Sequence, residues 1–411
     1  MARGSARAGD PRRLPGIRRR KRRTRSSQRG AALIRILFLS ASVGVGHLSA
    51  ANAVAAALRR IQPAAQTSVI DSYEYAALVV SRVVSDGYLR MVKTIPQLYR
   101  YIYERAERAT EVGRFRTWAH QFTASNLRPL MLRERPDAVV CTHAFPCGAM
   151  AEYKRAFADA PPVVGIVTDF AVHRFWMHEN IERYVVATET MRETLTAGGV
   201  RVESIAVSGI PVRAEFVPPA EPRAALGERL DLPGGRQVVL LMGGGLGLAP
   251  IERMLRALKP VRAPIAAVVV AGRNARIGRR LAQTADSVSF PVRVLPFVEN
   301  VYDYMHAADL LVTKPGGLTT AEALVAQLPL VLCKPLPGQE ERNARVLVET
   351  GAAVRTRRLE ELAATVESLL ADRPRREEMV AAARRLGRPN AAIEAARMIA
   401  RLAESRKEIV A

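Results

Sequence analysis

From Leu33 onward, short runs rich in Val, Ile and Leu alternate with stretches whose apolar residues recur at helical spacing. Leu33–Leu39, Thr67–Ile70, Ala138–Thr142, Val163–Thr168 and Tyr184–Ala187 predict buried strands, each bounded by turn or cap residues. His47–Arg60, Pro146–Phe157 and Glu189–Gly198 predict the helices between them. The stretch from Tyr73 to Arg133 is nearly strand-free and longer than one crossover needs, so it reads as a helical insertion. The rhythm pauses at Gly209-Ile210-Pro211-Val212, and a Pro/Gly-rich passage follows through Pro218-Pro219 and Pro222 to Pro233-Gly234-Gly235. It restarts with strands expected at Val238–Met242, Ile265–Ala271, Val292–Leu295, Leu310–Thr313 and Leu330–Cys333. From Leu359 the pattern is helical only, with residues 391–411 expected to cross back to the N-terminal domain. Two such series predict an α/β chain: two Rossmann-like, doubly wound parallel sheets facing each other across a cleft. The domains are expected at 31–212 and 236–390, joined by a linker at 213–235.

Charge changes this picture at one end. The net charge is +23 over 411 residues, and residues 1–30 carry +11 of it, with 12 Arg/Lys against the single acid Asp10. That segment lacks hydrophobic periodicity and reads as a disordered basic tail. Its run Arg18–Arg23 fits contact with anionic lipid or nucleic acid, and equally an incidental extension. The tail followed by Ala31–Ser42 imitates a signal peptide. Arg35 breaks the apolar run, however, and cleavage would remove the first strand, so export is rejected. Residues 78–108 interleave Arg and Lys with aliphatics and four tyrosines, which suits a membrane interface or an ordinary core helix with a basic face. Cys141, Cys147 and Cys333 are too few and too irregular for a disulfide framework or a zinc site. No apolar run reaches the roughly 18–20 residues of a spanning helix.

The chemistry is expected in loops at strand ends. Ser40–His47 carries Gly44 and Gly46 between a strand and a helix, where a glycine loop and free helix N–H groups meet a ligand. It departs from the dinucleotide fingerprint at Ser49, although Asp71 keeps a nicotinamide dehydrogenase as a competitor. His47, at a helix start, has its charged form disfavoured and fits either a proton acceptor or a loop cap. Thr168-Asp169 ends a buried strand, and Asp169 is either a helix cap or a functional acid. His173 and His178 flank Trp176 and form half of a metal site, with no third ligand at suitable spacing. Further on, Gly243-Gly244-Gly245 follows a strand and suits an anion. Lys314-Pro315-Gly316-Gly317-Leu318-Thr319 leads into a helix on which Glu322 faces back toward a ribose diol. Gln339, Glu340 and Asn343 lie beyond another strand end. Together these describe a nucleotide-sugar pocket. There is no Asp-x-Asp metal clamp and no P-loop.

The ordered set SxxxGxGH, TDF, GIPV, GGG, KPGGLTTAEA and PLPGQEERN resembles glycosyltransferase family 28. Within it the chain is most similar to the monogalactosyldiacylglycerol synthase and processive diacylglycerol glucosyltransferase branch, over about residues 33–400. The resemblance implies a GT-B fold and a UDP-sugar bound by the C-terminal domain. It also implies transfer with inversion, without a metal or cofactor, to a lipid acceptor taken from the membrane surface by the N-terminal domain; diacylglycerol, on an anionic surface at the inner face of the cell membrane, is the expected acceptor. Carried over, Glu322 would bind ribose, Gly316, Gly317 and Leu318 the diphosphate, and Gln339 and Glu340 the sugar. Phe297 and Val298 would line the uracil pocket beside Asn300 and Met305, with His47 or Asp169 as base. Alternatives sharing these loops are N-acetylglucosaminyl transfer to a polyprenyl-linked precursor and a UDP-sugar epimerase. Nucleic-acid binding through the tail fits poorly, because the folded part lacks interleaved aromatics.

Overall fold

A computed structural model describes residues 33–41, 45–75, 110–244, 250–336 and 338–410. The basic tail, the tyrosine-rich segment 78–108, Gly44 and Gly245 lie outside the described residues.

The first lobe runs β1 (Arg35–Ser40), α1 (Val45–Ile61), β2 (Gln66–Asp71), α2 (Thr110–Glu134), β3 (Ala138–Cys141), α3 (Ala144–Ala156), β4 (Val163–Ile166), β5 (Arg183–Val186), α4 (Glu189–Ala197) and β6 (Ile205–Val207). The second runs α5 (Arg223–Arg229), β7 (Gln237–Met242), α6 (Ile251–Ala257), β8 (Ile265–Val270), α7 (Ala275–Ala285), β9 (Val292–Leu295), α8 (Val301–Ala307), β10 (Leu310–Thr313), α9 (Gly317–Val325), β11 (Leu330–Leu332), α10 (Gln339–Glu349) and β12 (Ala353–Arg355). Helices α11 (Leu362–Ala371), α12 (Arg373–Leu386) and α13 (Ala391–Val410) close the chain.

The two sheets have the orders β2-β1-β3-β4-β5-β6 and β12-β11-β10-β7-β8-β9, and the strand pairings in both are parallel. A parallel sheet covered by helices on both faces needs apolar side chains at every position. Ile36 to Leu39 and Val239 to Leu241 meet that need and are buried. The two edge strands β6 and β12 are absent from the sequence reading, because three residues each are too few to show a period.

Strand order fixes where ligands can enter. In the first sheet the winding reverses between β1 and β3, and in the second between β7 and β10. Connections on either side of a reversal diverge and leave a crevice at the carboxyl ends of those two strands. The loops after β1 and β3 carry His47 and Thr142; those after β7 and β10 carry Gly243-Gly244 and Lys314–Gly317.

The last helix belongs to the first sheet. Ala395, Ala396, Ile399, Ala400 and Ala403 of α13 recur at helical spacing and are buried with Ile36, Phe38, Val54 and Leu58. Lys407 pairs with Asp137 at 3.4 Å, and Gln62 donates to Glu404 at 3.2 Å. The returning chain passes Gly209, whose φ of +97° suits glycine; a Cβ there would lie 2.4 Å from the Cβ of Arg388.

Candidate active site

The first-lobe crevice is built around an imidazole. His47 lies in the first turn of α1, with Nδ1 3.0 Å from the carbonyl oxygen of Thr142. A carbonyl only accepts, so Nδ1 carries the proton and donates. The hydroxyl oxygen of Thr168, 2.7 Å away, shares that donor. The hydrogen-bond partners thereby assign the lone pair to Nε2, for which no protein partner exists among the described residues. Burial pushes the His47 pKa down to about 4, against a smaller opposing effect of the Thr142 carbonyl. His143, at the start of α3, packs edge-on with ring centroids 4.7 Å apart. Its pKa is also held well below the usual range, first by burial and then by the neighbouring imidazoles. Its Nδ1 accepts from the Phe145 N–H at 3.1 Å. A neutral imidazole with a fixed tautomer results.

The second-lobe crevice gathers free backbone N–H groups and an ammonium. Gly316 caps α9, and the helix cannot satisfy the N–H groups of Gly317, Leu318 and Thr319, its first three residues. The Lys314 ammonium lies beneath: a Cβ on Gly244 would be 3.0 Å from Lys314 Cε, and one on Gly316 would be 3.9 Å from its Nζ. Lys314 is paired with Glu340, whose other oxygen accepts from the Leu336 N–H at 2.8 Å. The carboxyl of Glu322, farther along α9, has no hydrogen-bond partner among the described residues. Burial raises its pKa to about 8, opposed only by the positive charge of Arg213. Arg213 donates to the Glu299 carbonyl at 2.9 Å and lies over the rings of Phe216 and Tyr302. Phe297 is 42% exposed, and the Arg273 guanidinium stands 4.5 Å from its centroid.

The two crevices meet. A Cβ on Gly46 would approach the Leu318 Cβ to 3.3 Å, so α1 and α9 start against each other. Gly317 is tighter still: a Cβ would fall 2.0 Å from the Thr168 carbonyl and 2.8 Å from Asp169 Oδ1. No residue but glycine permits that approach.

Comparison with known proteins decides the family. Residues 47–212 match the monogalactosyldiacylglycerol (MGDG) synthase family, and 238–396 match the glycosyltransferase family 28 C-terminal domain. The processive diacylglycerol beta-glucosyltransferase of Bacillus licheniformis is 30% identical over 346 residues, spanning 84% of this chain and 88% of that protein. The protein of the same name from Bacillus subtilis (strain 168) is 30% identical over 340 residues, 82% of this chain and 87% of that one. The chain belongs to the diacylglycerol glycosyltransferases of family 28. Its GT-B fold is shared with MurG of Acinetobacter baumannii (TM-score 0.58, 19% identity, 90% of this chain and 99% of that one). It is shared too with MnaA of S. aureus solved with UDP (TM-score 0.58, 14% identity, 88% and 94%).

Set against this family-28 fold, the residues singled out in the sequence separate into two groups. His47, Gly46, Gly244, Lys314, Pro315, Gly316, Gly317, Leu318, Thr319 and Glu322 converge at the crevices, with Gly243 buried beneath them. Asn300 caps α8 and donates to Asp303 at 3.1 Å beside Phe297 and the half-buried Val298. Others are placed away from a ligand. Met305 is 1% exposed and lines a cavity of about 700 Å³ with Leu226, Asp309 and Pro329, at the amino ends of the strands. Trp176 is buried in the first-lobe core. Asn343 is fully buried, so it cannot touch a sugar in this arrangement. His47 is held by Thr142 and Thr168, and no hydrogen bond joins it to Asp169 among the described residues.

Four contributors are absent from the sequence reading as site residues: Thr142, His143, Arg213 and Arg273. Thr142 and His143 follow the strand end at the winding reversal, and Arg213 directly follows GIPV, so adjacency to a motif is the signal that marks them. Among the described residues no three His, Cys, Asp or Glu side chains are arranged to hold a metal ion, and no helix is long and apolar enough to cross a membrane.

Proposed function

We propose that this protein moves a hexose from a UDP-sugar to diacylglycerol at a membrane surface, by direct displacement with inversion and without a metal. The observation that supports this reading is the close approach of Gly46, next to His47 at the start of α1, to Leu318 at the start of α9. The diphosphate would lie on the N–H groups of Gly317, Leu318 and Thr319 with Lys314 beneath. Helix dipole and ammonium would then absorb the charge developing on the leaving UDP. Glu322 would accept the ribose hydroxyls, and Phe297 with Arg273 would bracket the uracil. His47 Nε2 would take the proton of the lipid hydroxyl as its oxygen attacks the anomeric carbon. The names of the relatives, diacylglycerol beta-glucosyltransferases, favour glucose and a β-linkage.

The test incubates the full chain with diacylglycerol liposomes and UDP-glucose, UDP-galactose or UDP-N-acetylglucosamine, then identifies the lipid product. A β-hexosyl diacylglycerol is expected. Hydrolysis or epimerisation of the nucleotide sugar with no lipid product would refute the assignment, and chelator sensitivity would refute the metal-free mechanism.

A further inference from the structure

The amide of Asn343 is used at both ends. Its Oδ1 accepts from the Phe170 N–H at 2.8 Å, and its Nδ2 donates to Asp169 Oδ1 at 2.8 Å and to the Pro315 carbonyl at 3.1 Å. Gln339, one turn earlier on the same face of α10, donates Nε2 to the Ala171 carbonyl at 2.6 Å and also bonds the Asp169 carboxylate. Four consecutive residues of the first lobe are therefore held by the second. Gly317 seats the Thr168 carbonyl, the two amides take Asp169 and Phe170, and Gln339 takes Ala171.

This engagement leaves Asp169 poorly placed to deprotonate a substrate. A proton acceptor must lie within hydrogen-bond reach of the hydroxyl it serves. Asp169 Oδ1 already accepts an amide N–H and abuts the backbone of Gly317. His47, by contrast, turns a lone pair outward. The adjacent Thr168 hydroxyl bonds to His47, so any movement of the 168–171 turn also moves the imidazole. Resting on the glycosyltransferase reading, we infer that Asp169 and Asn343 form a latch between the lobes, which makes Asp169 a positioning residue and not the proton acceptor.

Asp169→Asn tests the assignment, because an amide oxygen still accepts from Asn343 Nδ2 but cannot act as a base at neutral pH. We expect kcat within about threefold of wild type, against the ~10²–10⁴-fold loss that removal of a base produces. Asp169→Ala and Asn343→Ala should each raise the donor KM about tenfold. The double variant should fall no further than the worse single one, as for a shared interaction. A kcat loss of about 10² or more in Asp169→Asn, with donor KM and melting temperature unchanged, would overturn the inference, as would additive effects in the alanine cycle. If the wild type transfers no sugar from any UDP-hexose, the functional reading fails instead. Thermal unfolding of the alanine cycle still decides the latch: non-additive losses in Tm support it, and additive losses overturn it.

Discussion

Gly317→Ala is the smallest change that should separate chemistry from folding. The new methyl carbon would sit 2.0 Å from the Thr168 carbonyl oxygen and 2.9 Å from the Asp169 Cα. Both are backbone atoms of the opposite lobe, so no flexible side chain can swing aside. Ordinary contact begins near 3.4 Å, and reaching it demands a displacement of about 1.4 Å between the start of α9 and the turn that positions His47. A misplacement of about 1 Å at a reacting centre costs on the order of 10²-fold in rate. Within α9, Gly→Ala favours the helix by up to ~1 kcal/mol, which offsets part of the strain in the fold. We therefore expect kcat/KM for lipid glycosylation to fall by roughly 10²-fold or more, with a melting temperature no lower than that of Asn343→Ala, which parts the same contact. The assay is initial-rate kinetics on liposomes with varied UDP-sugar, alongside thermal unfolding of the same preparation. A variant with wild-type kcat/KM would show that the lobes do not need this contact, and the reasoning from it would fail.

Three further outcomes follow from the same geometry. His47→Ala should lower turnover by about 10²–10⁴-fold with UDP affinity little changed; measured as kcat at saturating UDP-sugar, which removes the Glu322 effect on donor affinity, the wild-type His47 limb should fall only as the pH approaches 4, where the imidazole gains its proton. An inflection near 6.5 would contradict the buried, neutral base. Glu322 keeps its proton to about pH 8 in the folded protein but only to 4.5 unfolded, so its contribution to stability is complete below 4.5 and lost as pH rises through 8. Glu322→Gln should then melt higher than wild type above pH 8 yet bind UDP about tenfold or more weakly; wild-type UDP affinity should climb between pH 6 and 8, and calorimetry showing no such climb would remove the ribose role. Ile399→Ala, deep between α13 and the first sheet, should cost about 2–4 kcal/mol in chemical denaturation, and a loss under 1 kcal/mol would mean the helix is not a structural part of that lobe.

The sheets are legible in the sequence because every strand of their interiors is an unbroken apolar run, and the ligand loops because glycine announces a close approach by itself. Gly316-Gly317 needs no partner to be noticed. Asn343 does: its meaning lies in Asp169 and Phe170, 174 and 173 residues away, and nothing local distinguishes it from a sugar-binding amide. Thr142, 95 residues from His47, is hidden too, because it contributes only a carbonyl, the one group that sequence never specifies. Met305 misleads for a related reason. Its place in the sequence follows the Phe297 loop, but it lines a cavity at the amino ends of the strands. Arg213 and Arg273 act through stacking on rings whose neighbourhood only the fold creates.

The place of α13 bears on how the chain is made. Synthesis runs from the amino end, and domains emerging first ordinarily close their cores while the remainder is still being translated. Here the surface formed by Ile36, Phe38, Val54 and Leu58 stays uncovered until Ala395 to Ala403 have left the ribosome, nearly the full length later. The first lobe is thus completed last, and a nascent chain stalled anywhere before residue 391 exposes a greasy patch on an otherwise formed sheet.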